Sequence, residues 1–388
     1  MSEWEIVEEN KGTAVIKVVG VGGGGGNALQ HMVESGIEGA DFICINTDKQ
    51  ALDENKAANK FVLGLEVTKG LGAGADPSIG REAALEDRDR LTEMLKGTDM
   101  VFITAGMGGG TGTGAAPIVA QVAKELDILT VAVVTKPFEL EGSKRMKIAQ
   151  EGIQELIEEV DSLITIPNQK LLEVLGEDCA MIEAFKEANE VLAGAVKGIT
   201  DIIICPGLIN VDFADVKTVM SERGTAMMGT GVGSGPERGR LAAEKAVESK
   251  LLEDISLKDA KGVLVNITAG TEITLGEIRA VGDCIERFAD KDALIVTGAV
   301  IDKSIGNDIV VTVIATGLGT ANNTAIVEVP RLQPREINER DPLPLSEAAR
   351  RLLENPSSTE SDPAHDNKEE KENDNFLDIP SFVRSQLD

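Results

Sequence analysis

The sequence has few of the residues that hold metals, form disulfide frameworks or act as general bases. Of its 388 residues only 3% are aromatic, tyrosine is absent and Trp4 is the one tryptophan. The four cysteines are scattered without CxxC spacing, which argues against a zinc site or a disulfide framework. His31 and His365 are isolated, so no histidine general base is evident. We expect reduced thiols, a core of aliphatic side chains and no metal centre built from protein side chains.

Positive charge and long apolar runs are also scarce. The 38 basic residues face 66 acidic ones, which gives a net charge of −28. Such a surface repels nucleic acid and anionic lipid. The sequence contains no run of 18 apolar residues, which is about the length needed to span a membrane, and the acidic residues 1–12 lack the apolar region of a signal peptide. We therefore expect a cytoplasmic protein that binds neither nucleic acid nor membrane directly.

The order of the apolar runs predicts two α/β domains. Buried strands alternate with helical runs over the first part of the chain, which is typical of right-handed βαβ units and a Rossmann-like parallel sheet. A long helix follows, and three strands and two helices beyond it predict a smaller α/β domain with a mixed sheet. In order, we predict a flexible lead (1–12), an α/β domain (13–180), a central helix (181–205), a loop with its following helix (206–220), a C-terminal α/β domain (221–318), a disordered linker (319–375) and a partner-docking peptide (376–388).

Three glycine-rich loops each follow a predicted strand of the first domain. They are Gly20–Gly26, Gly70–Ala75 and Gly106–Gly114. Glycine-rich backbone between a strand and a helix N-terminus directs unpaired N–H groups and the positive end of a helix dipole at one point, which suits phosphate. Three converging loops favour a phosphate chain longer than a pyrophosphate. No Lys-Ser or Lys-Thr follows any of the loops, so the Walker A pattern is absent.

The first loop alone permits a different interpretation. Gly20–Gly25 satisfies GxGxxG after a strand, and Asp41 and Asp48 lie near the distance expected of a ribose-binding acid. A dinucleotide-dependent oxidoreductase therefore stays as an alternative, although one pyrophosphate needs only one glycine turn. Binding of GTP or GDP without binding of NAD would reject it.

Five side chains outside the loops are candidates for binding the rest of a nucleotide. Glu141 and Arg145 follow a strand and either open a helix or contact ribose and phosphate. Phe185 and Asn189 are four residues apart on the long helix and share a face. A buried asparagine without a partner costs about 1–3 kcal/mol, and a base stacked on the ring and bonded to the amide would satisfy both. Asn168, at a nearby strand end, could assist.

Two acids at helical spacing, Asp212 and Asp215, have two interpretations. They fit an N-cap followed by an acid in the first turn of a helix. Alternatively, two carboxylates on one helical turn polarise a water molecule or hold a cation. Spacing alone favours the capping role.

Four motifs in order resemble the FtsZ family, the tubulin-related GTPases of bacterial cell division. GVGGGGGN (20–27) resembles the first phosphate loop and GMGGGTGTG (106–114) the tubulin signature loop. NVDFADV (210–216) resembles the family's synergy loop, and LDIPSFVR (377–384) its C-terminal peptide. The resemblance covers about residues 13–318, with a tail like the family's linker and peptide.

The resemblance implies a role for each matching position. The nucleotide-binding residues would be Gly23, Gly24, Gly25, Gly26, Asn27, Asn46, Ala73, Gly74, Gly110, Thr111, Gly112, Glu141, Arg145, Asn168, Phe185 and Asn189. Asp212 and Asp215 would orient the attacking water in a neighbouring subunit's site, and Asn210 would position that water or the γ-phosphate. Many family members have Asp in place of Asn189, so we expect weaker guanine selectivity. The docking residues would be Leu377, Asp378, Ile379, Pro380, Phe382, Val383 and Arg384.

The implied function is that of a GTPase activated by its own assembly. The chain would bind GTP and GDP with Mg²⁺ as counter-ion, polymerise head to tail and act in the cytoplasm at the mid-cell division site. Membrane-tethering and regulatory proteins would bind the C-terminal peptide. A non-catalytic filament scaffold is a further alternative, which phosphate release would distinguish.

Overall fold

Hydrophobic runs buried on both faces form the strands at the centre of the molecule. The computed structural model describes residues 14–318 except 177, 206, 223 and 253–259, so the predicted lead, linker and docking peptide lie outside the described residues. The strands in this part of the chain are β1 (Ile16–Val21), β2 (Asp41–Asn46), β3 (Asn59–Val62), β4 (Met100–Gly106), β5 (Leu129–Lys136), β6 (Ser162–Pro167), β7 (Gly224–Gly233), β8 (Gly262–Ala269), β9 (Leu294–Ile301) and β10 (Ile309–Leu318).

Helices connect most of the strands. Those in the described ranges are α1 (Gly22–Glu34), α2 (Lys49–Glu54), α3 (Leu65–Thr68), α4 (Pro77–Glu86), α5 (Arg88–Leu95), α6 (Thr111–Glu125), α7 (Ser143–Ile157), α8 (Asn168–Leu175), α9 (Met181–Ile204), α10 (Phe213–Met220), α11 (Arg238–Val247) and α12 (Leu275–Phe288). Short 3-10 turns add to these at Glu139–Glu141, Lys250–Leu252 and Lys303–Ile305.

All the described strands join one sheet, in the order β3-β2-β1-β4-β5-β6-β7-β10-β8-β9. The pairs from β3 to β7 are parallel, as is the pair β8 with β9, and β10 is antiparallel to both its neighbours. The predicted parallel and mixed parts are therefore both present. They are continuous, because residues 162–164 of β6 pair with residues 224–226 of β7.

Strand β7 was not predicted, and its glycines explain why. Gly229, Gly231 and Gly233 alternate along it, and a methyl group on each would lie about 2 Å from a backbone oxygen of α11, namely those of Ala246, Ala242 and Arg238. The helix backbone thus lies directly on the strand, which only residues without a Cβ allow. A strand with so few β-branched side chains has little of the pattern by which strands are recognised.

Strand β1 shows how the two sides of the sheet are covered. Ile16 and Val18 point into a core with α1 and α9, whereas Val19 and Val21 point into a second core with α4, α5, α6 and α7. A third core lies between α11, α12 and the strands β7 to β10. Parallel strands buried on both faces are expected to be this uniformly apolar.

The charged run between residues 79 and 95 predicts one helix from its sequence, but in the structure it is interrupted at Asp87. This side chain is buried, where its Oδ2 accepts from Gly64 N at 2.7 Å and its Oδ1 accepts from Arg90 Nη1 at 2.7 Å. Asp87 caps the end of α4 and precedes α5 with non-helical backbone angles. A buried carboxylate that needs partners therefore divides one predicted helix into two.

Helix α9 spans 24 residues and is about 36 Å long. Its middle and end pack into the core through Leu192, Val196 and Ile199, whereas Ile182 and Phe185 in its first turns are exposed. The predicted long central helix is therefore present, and its last two thirds pack into the core. In the described ranges every helix is too short or too polar to cross a lipid bilayer. All four cysteines are free, and Cys44 and Cys284 are buried.

Candidate functional site

Helices α1 and α6 both begin without a cap at the carboxyl edge of the parallel strands, and they follow neighbouring strands. Helix α1 starts directly after β1 and α6 starts after the loop that follows β4, and β1 and β4 are neighbours. Neither helix has a side-chain hydrogen bond at its N-cap, Val21 or Gly110, and neither has an acid in its first turn. Two adjacent helix N-termini with free N–H groups form a place for an anion.

The three glycine loops are in mutual contact at this edge. A methyl group on Gly22 would lie 2.8 Å from Gly112 N, and one on Gly24 would lie 2.9 Å from the Cα of Gly106. A methyl group on Gly110 would lie 2.9 Å from the Cβ of Ala73. Residues from loops 90 positions apart in sequence therefore form one surface.

Some glycines of the same surface face open space. A methyl group on Gly23, Gly74 or Gly109 would meet no atom within 4 Å, and Gly23, Gly74 and Asn27 are exposed. Tight packing behind the loops and open space in front of them are the arrangement of a cradle for a ligand. The loop 70–75 also has strained backbone, since Ala75 adopts a φ of 63°.

Acids and hydroxyls fasten the edges of this surface. Asp76 caps α4 by accepting from Ser78 N at 2.9 Å, and the Ser78 hydroxyl holds the pKa of that carboxyl below its usual value. The Thr47 and Thr111 hydroxyl oxygens lie 2.6 Å apart.

Two amide side chains also bond to backbone near the first glycine loop and after β2. Asn55 Nδ2 donates to Gly26 O at 2.8 Å, and Asn46 Oδ1 accepts from Asp48 N at 3.2 Å. Thr47 and Asn55 were not predicted as site residues, and their only signal is the polar run after β2.

Phe185 and Asn168 lie at the other side of the cradle. Phe185 is 42% exposed and packs edge-on against Phe138, with ring centroids 5.1 Å apart. The assumption that Phe185 and Asn189 lie on a buried face is wrong, because Asn189 is only half-buried. Asn168 is 4% exposed, and its Oδ1 has no hydrogen-bond partner among the described residues. A half-open ring and an unpaired buried amide oxygen suit a planar, hydrogen-bonding ligand.

Glu141 and Arg145 connect the cradle to α7. Glu141 Oε1 accepts from Phe138 N at 2.9 Å, and Arg145 Nη1 pairs with Glu141 Oε2 at 3.1 Å. The side chain of Arg145 also packs on the signature loop, since a methyl group on Gly108 would lie 2.8 Å from the Arg145 Cγ. Glu141 ends a 3-10 turn before α7, so the structural role given to it as a helix start is only approximate.

The third predicted group, Asn210, Asp212 and Asp215, lies elsewhere. Asp212 caps α10 by accepting from Asp215 N at 2.9 Å, so the capping interpretation is confirmed. Asn210 Oδ1 accepts from Gly207 N at 2.9 Å, and all three side chains are exposed. The loop is fixed by an isolated bridge between Ile209 and Ala299 of β9.

The distance between this loop and the cradle can be measured along α9, because each of them lies beside a different part of that helix. A methyl group on Gly298 would touch both Ile202 and Val211, so the loop lies at the level of Ile202 on the helix. Ile202 follows Phe185 by 17 residues, or about 26 Å along the helix axis. Within one molecule the carboxylates of the loop therefore cannot reach a ligand in the cradle.

A separate cavity of about 530 Å³ lies between α9 and the strands β7, β8 and β10. It contains Asn266, a buried side chain whose Oδ1 has no partner among the described residues, and Asp201. Burial raises the pKa of Asp201 to about 6 despite the nearby Lys197. None of the three glycine loops lines this cavity, so it is not the predicted phosphate site.

Comparisons with known families agree in both parts of the chain. A family model described as "Tubulin/FtsZ family, GTPase domain" matches residues 15–176. A second, "FtsZ family, C-terminal domain", matches residues 224–319. The chain is 54% identical to "Cell division protein FtsZ" of Pseudomonas aeruginosa over 99% of this chain and 100% of that protein. It is 55% identical to the Coxiella burnetii protein of the same name, over 98% of each.

Solved structures show the same likeness. "FtsZ dimer, empty (M. jannaschii)" is 45% identical, with a TM-score of 0.76 over 79% of this chain and 89% of that one. CetZ1 from Haloferax volcanii, bound to GDP, has a TM-score of 0.69 over 79% of this chain and 95% of that one. At 20% identity this second likeness concerns the fold alone.

Proposed function

The chain belongs to the Tubulin/FtsZ family, and on that premise we propose that it is a filament-forming GTPase of the division ring. It binds GTP at the carboxyl edge of its sheet, assembles head to tail, and hydrolyses GTP where two subunits meet. The observation that carries this proposal is the separation of about 26 Å between Phe185 and the synergy loop, 210–216, on one molecule.

The cradle supplies the binding half of this site. The uncapped N-termini of α1 and α6 direct N–H groups at the phosphates, and Gly74 leaves room for the γ-phosphate. Guanine lies on the ring of Phe185, and the unpaired Oδ1 of Asn168 accepts from the base. Glu141 accepts from ribose hydroxyls, and Arg145 lies near the phosphates.

The synergy loop of a second copy supplies the other half. Asp212 and Asp215 are exposed, and within the described ranges the one side-chain hydrogen bond that involves them is from Asp215 N to Asp212 Oδ1. Placed over the γ-phosphate of a neighbour, they orient the attacking water, and Asn210 positions that water. Phosphoryl transfer requires little more of a protein than positioning and charge stabilisation, so completing the site is enough to start hydrolysis.

Mg²⁺ is the counter-ion we propose for the triphosphate. Among the described residues no three His, Cys, Asp or Glu side chains converge to form a cage. Mg²⁺ in phosphate sites takes most of its ligands from phosphate oxygens and water. The donor set here therefore fits an ion that arrives with the nucleotide and offsets the charge of the triphosphate on a chain whose own net charge is −28.

A GTPase assay across protein concentration, combined with light scattering, tests the proposal. Specific activity should rise from near zero above a threshold concentration, at the concentration where scattering appears. A rate per subunit that does not depend on concentration would contradict hydrolysis between subunits. Assembly with GTP but without phosphate release would leave a non-catalytic scaffold. NAD binding without GTP or GDP binding would favour the dinucleotide alternative.

We also propose that Leu377 to Arg384 bind membrane-tethering and regulatory proteins at mid-cell, on the evidence of the sequence motif alone. Deletion of residues 376–388 should spare assembly and abolish co-sedimentation with vesicles that carry a tether. Unchanged co-sedimentation would place tether binding elsewhere on the chain.

A further inference from the structure

Thr47 and Thr111 form a buried pair of hydroxyls behind the cradle. Their Oγ1 atoms are 2.6 Å apart, although the residues are 64 positions apart in sequence. Thr47 is fully buried and Thr111 is 9% exposed. Within the described residues the Thr47 hydroxyl has no other hydrogen-bond partner. A contact this short between two buried hydroxyls is a real hydrogen bond and not an accident of packing.

The pair joins the two loops that a triphosphate would touch. Thr111 is the first residue of α6, next to Gly110 and Gly112. Thr47 follows β2, and its carbonyl accepts from Gly72 N at 3.2 Å, which ties it to the loop 70–75. Thr47 therefore contacts both sides of the cradle without facing its open front.

The number of hydrogens that the two hydroxyls can donate indicates which of them is the donor in the pair. Each hydroxyl can donate one hydrogen bond and accept two, so only one of the two can donate within the pair. If Thr111 donates, the Thr47 hydrogen has no acceptor among the described residues. If Thr47 donates, Thr111 keeps its own hydrogen for an acceptor at the start of α6. Hydrogen bonds in such a chain strengthen one another, and an anion accepts more strongly than a neutral group.

We propose that Thr47 is a positioning residue for nucleotide binding: it donates to Thr111 and thereby turns the Thr111 hydroxyl toward a phosphate oxygen. This inference rests on the proposed function, because it needs a phosphate on the cradle. It adds a residue that does not touch the nucleotide and that no glycine motif contains.

The test compares Thr47→Val, which keeps the volume and removes the hydroxyl, with Thr47→Ser, which keeps the hydroxyl. The probes are GTP and GDP, and the readout is the equilibrium dissociation constant of the full chain at fixed Mg²⁺. Thr47→Val should weaken binding of each nucleotide roughly three- to tenfold, the range of one hydrogen bond. Thr47→Ser should stay within about twofold of the unmodified chain.

Thr130→Val is the matched control. Thr130 is also buried and its hydroxyl donates to Ile128 O at 2.9 Å, at the opposite end of a parallel strand. Its substitution should leave both dissociation constants unchanged. If Thr47→Val lowers the melting temperature as well, binding is measured well below that temperature, where nearly all of the chain is folded and a loss of stability alone does not change the dissociation constant.

A double-mutant cycle with Thr111→Val completes the test. The two substitutions should be non-additive, since Thr47 acts only through Thr111. Additive effects, or equal affinity of Thr47→Val and the unmodified chain, would overturn the inference while leaving the proposed function intact. Failure of the unmodified chain to bind either nucleotide would overturn both.

Discussion

The helices of this protein begin in two different ways. At the cradle, α1 begins at Gly22 and α6 begins directly after Gly110, and neither has a side-chain cap, whereas Asp48 and Asp76 cap α2 and α4 in the same half of the chain. In the second half, α10 is capped by Asp212, and α12 has a capping box in which Thr274 and Glu277 bond to each other's backbone. The bare ends lie at the carboxyl edge of parallel strands, where the glycine loops meet.

The difference indicates where backbone N–H groups are left without a side-chain partner. A helix N-terminus leaves N–H groups without partners, and proteins usually satisfy them with a side chain. At α1 and α6 the cradle leaves them for a ligand, whereas Asp212 satisfies α10 and still exposes its carboxylate. Under the proposed function, the cradle binds GTP but lacks the acids for hydrolysis, and the synergy loop carries those acids. Each of the following predictions alters one side of this comparison.

Asp215→Ala should have the largest effect. It removes a carboxylate from the synergy loop but leaves the cap of α10, because Asp212 bonds the backbone N–H of residue 215. GTP hydrolysis by assembled protein should fall about 100- to 10,000-fold, the range of a lost general base or water-orienting group. The dissociation constant for GTP should not change. Lys217→Ala, an exposed neighbour on α10, is the control, and loss of GTP binding by Asp215→Ala would mean that its role is misassigned.

Gly23→Glu should act on the opposite side. The position is exposed, a Cβ there meets no atom within 4 Å, and its φ is not positive, so the fold accepts a side chain. A carboxylate beside the phosphates costs several kcal/mol of repulsion, so GTP affinity should fall roughly 100-fold or more. Gly282→Glu, at another open glycine, should bind normally. Tight GTP binding by Gly23→Glu would show that the phosphates lie elsewhere.

Phe185→Ala should have an intermediate effect. Stacking of a base on an aromatic ring contributes about 1–3 kcal/mol, so affinity for GTP and GDP should fall about 5- to 100-fold. Both nucleotides should be affected equally, because they share the base. Phe185→Trp should retain binding, since it preserves a stacking surface. An unchanged affinity in Phe185→Ala would contradict the proposal that the base stacks on this ring.

Glu277→Gln should have the smallest effect, and on stability only. Arg238, with help from the backbone of Thr274, holds the pKa of Glu277 at about 2. A lowered carboxyl pKa stabilises the fold above its unfolded value of 4.5, and this contribution is lost as the pH falls toward 2. At pH 7 the variant should lose about 1–2 kcal/mol of unfolding free energy, and at pH 2 the difference should vanish. Glu286→Gln, exposed on the same helix, is the control, and nucleotide affinity should stay unchanged in both variants.

The meeting of the three glycine loops could be predicted from the sequence because each loop is a local signal at the end of a strand. A glycine run between a strand and a helix, as at Gly106–Gly114, carries its chemistry in adjacent residues. The cap at Asp212 was visible for the same reason. The parallel and mixed parts of the sheet also followed from the order of strands and helices.

What the sequence could not show depends on contacts across the chain. Strand β7 packs directly under α11 because Gly229, Gly231 and Gly233 have no Cβ. Helix α4 ends at Asp87, whose carboxylate accepts a hydrogen bond from Gly64 N. The Thr47 and Thr111 pair joins residues 64 positions apart. The exposure of Phe185 depends on how α9 packs along its length, which periodicity alone does not decide.

Mixing two inactive variants tests the central claim most directly. Asp215→Ala keeps an intact cradle but lacks a carboxylate of the synergy loop. Gly23→Glu keeps that carboxylate, but its cradle should not bind GTP. If one active site is built from two subunits, each variant alone should release almost no phosphate, and an equimolar mixture should recover a substantial fraction of the unmodified rate. A mixture that stays as inactive as its components, although the two variants co-assemble by light scattering, would contradict a site shared between subunits.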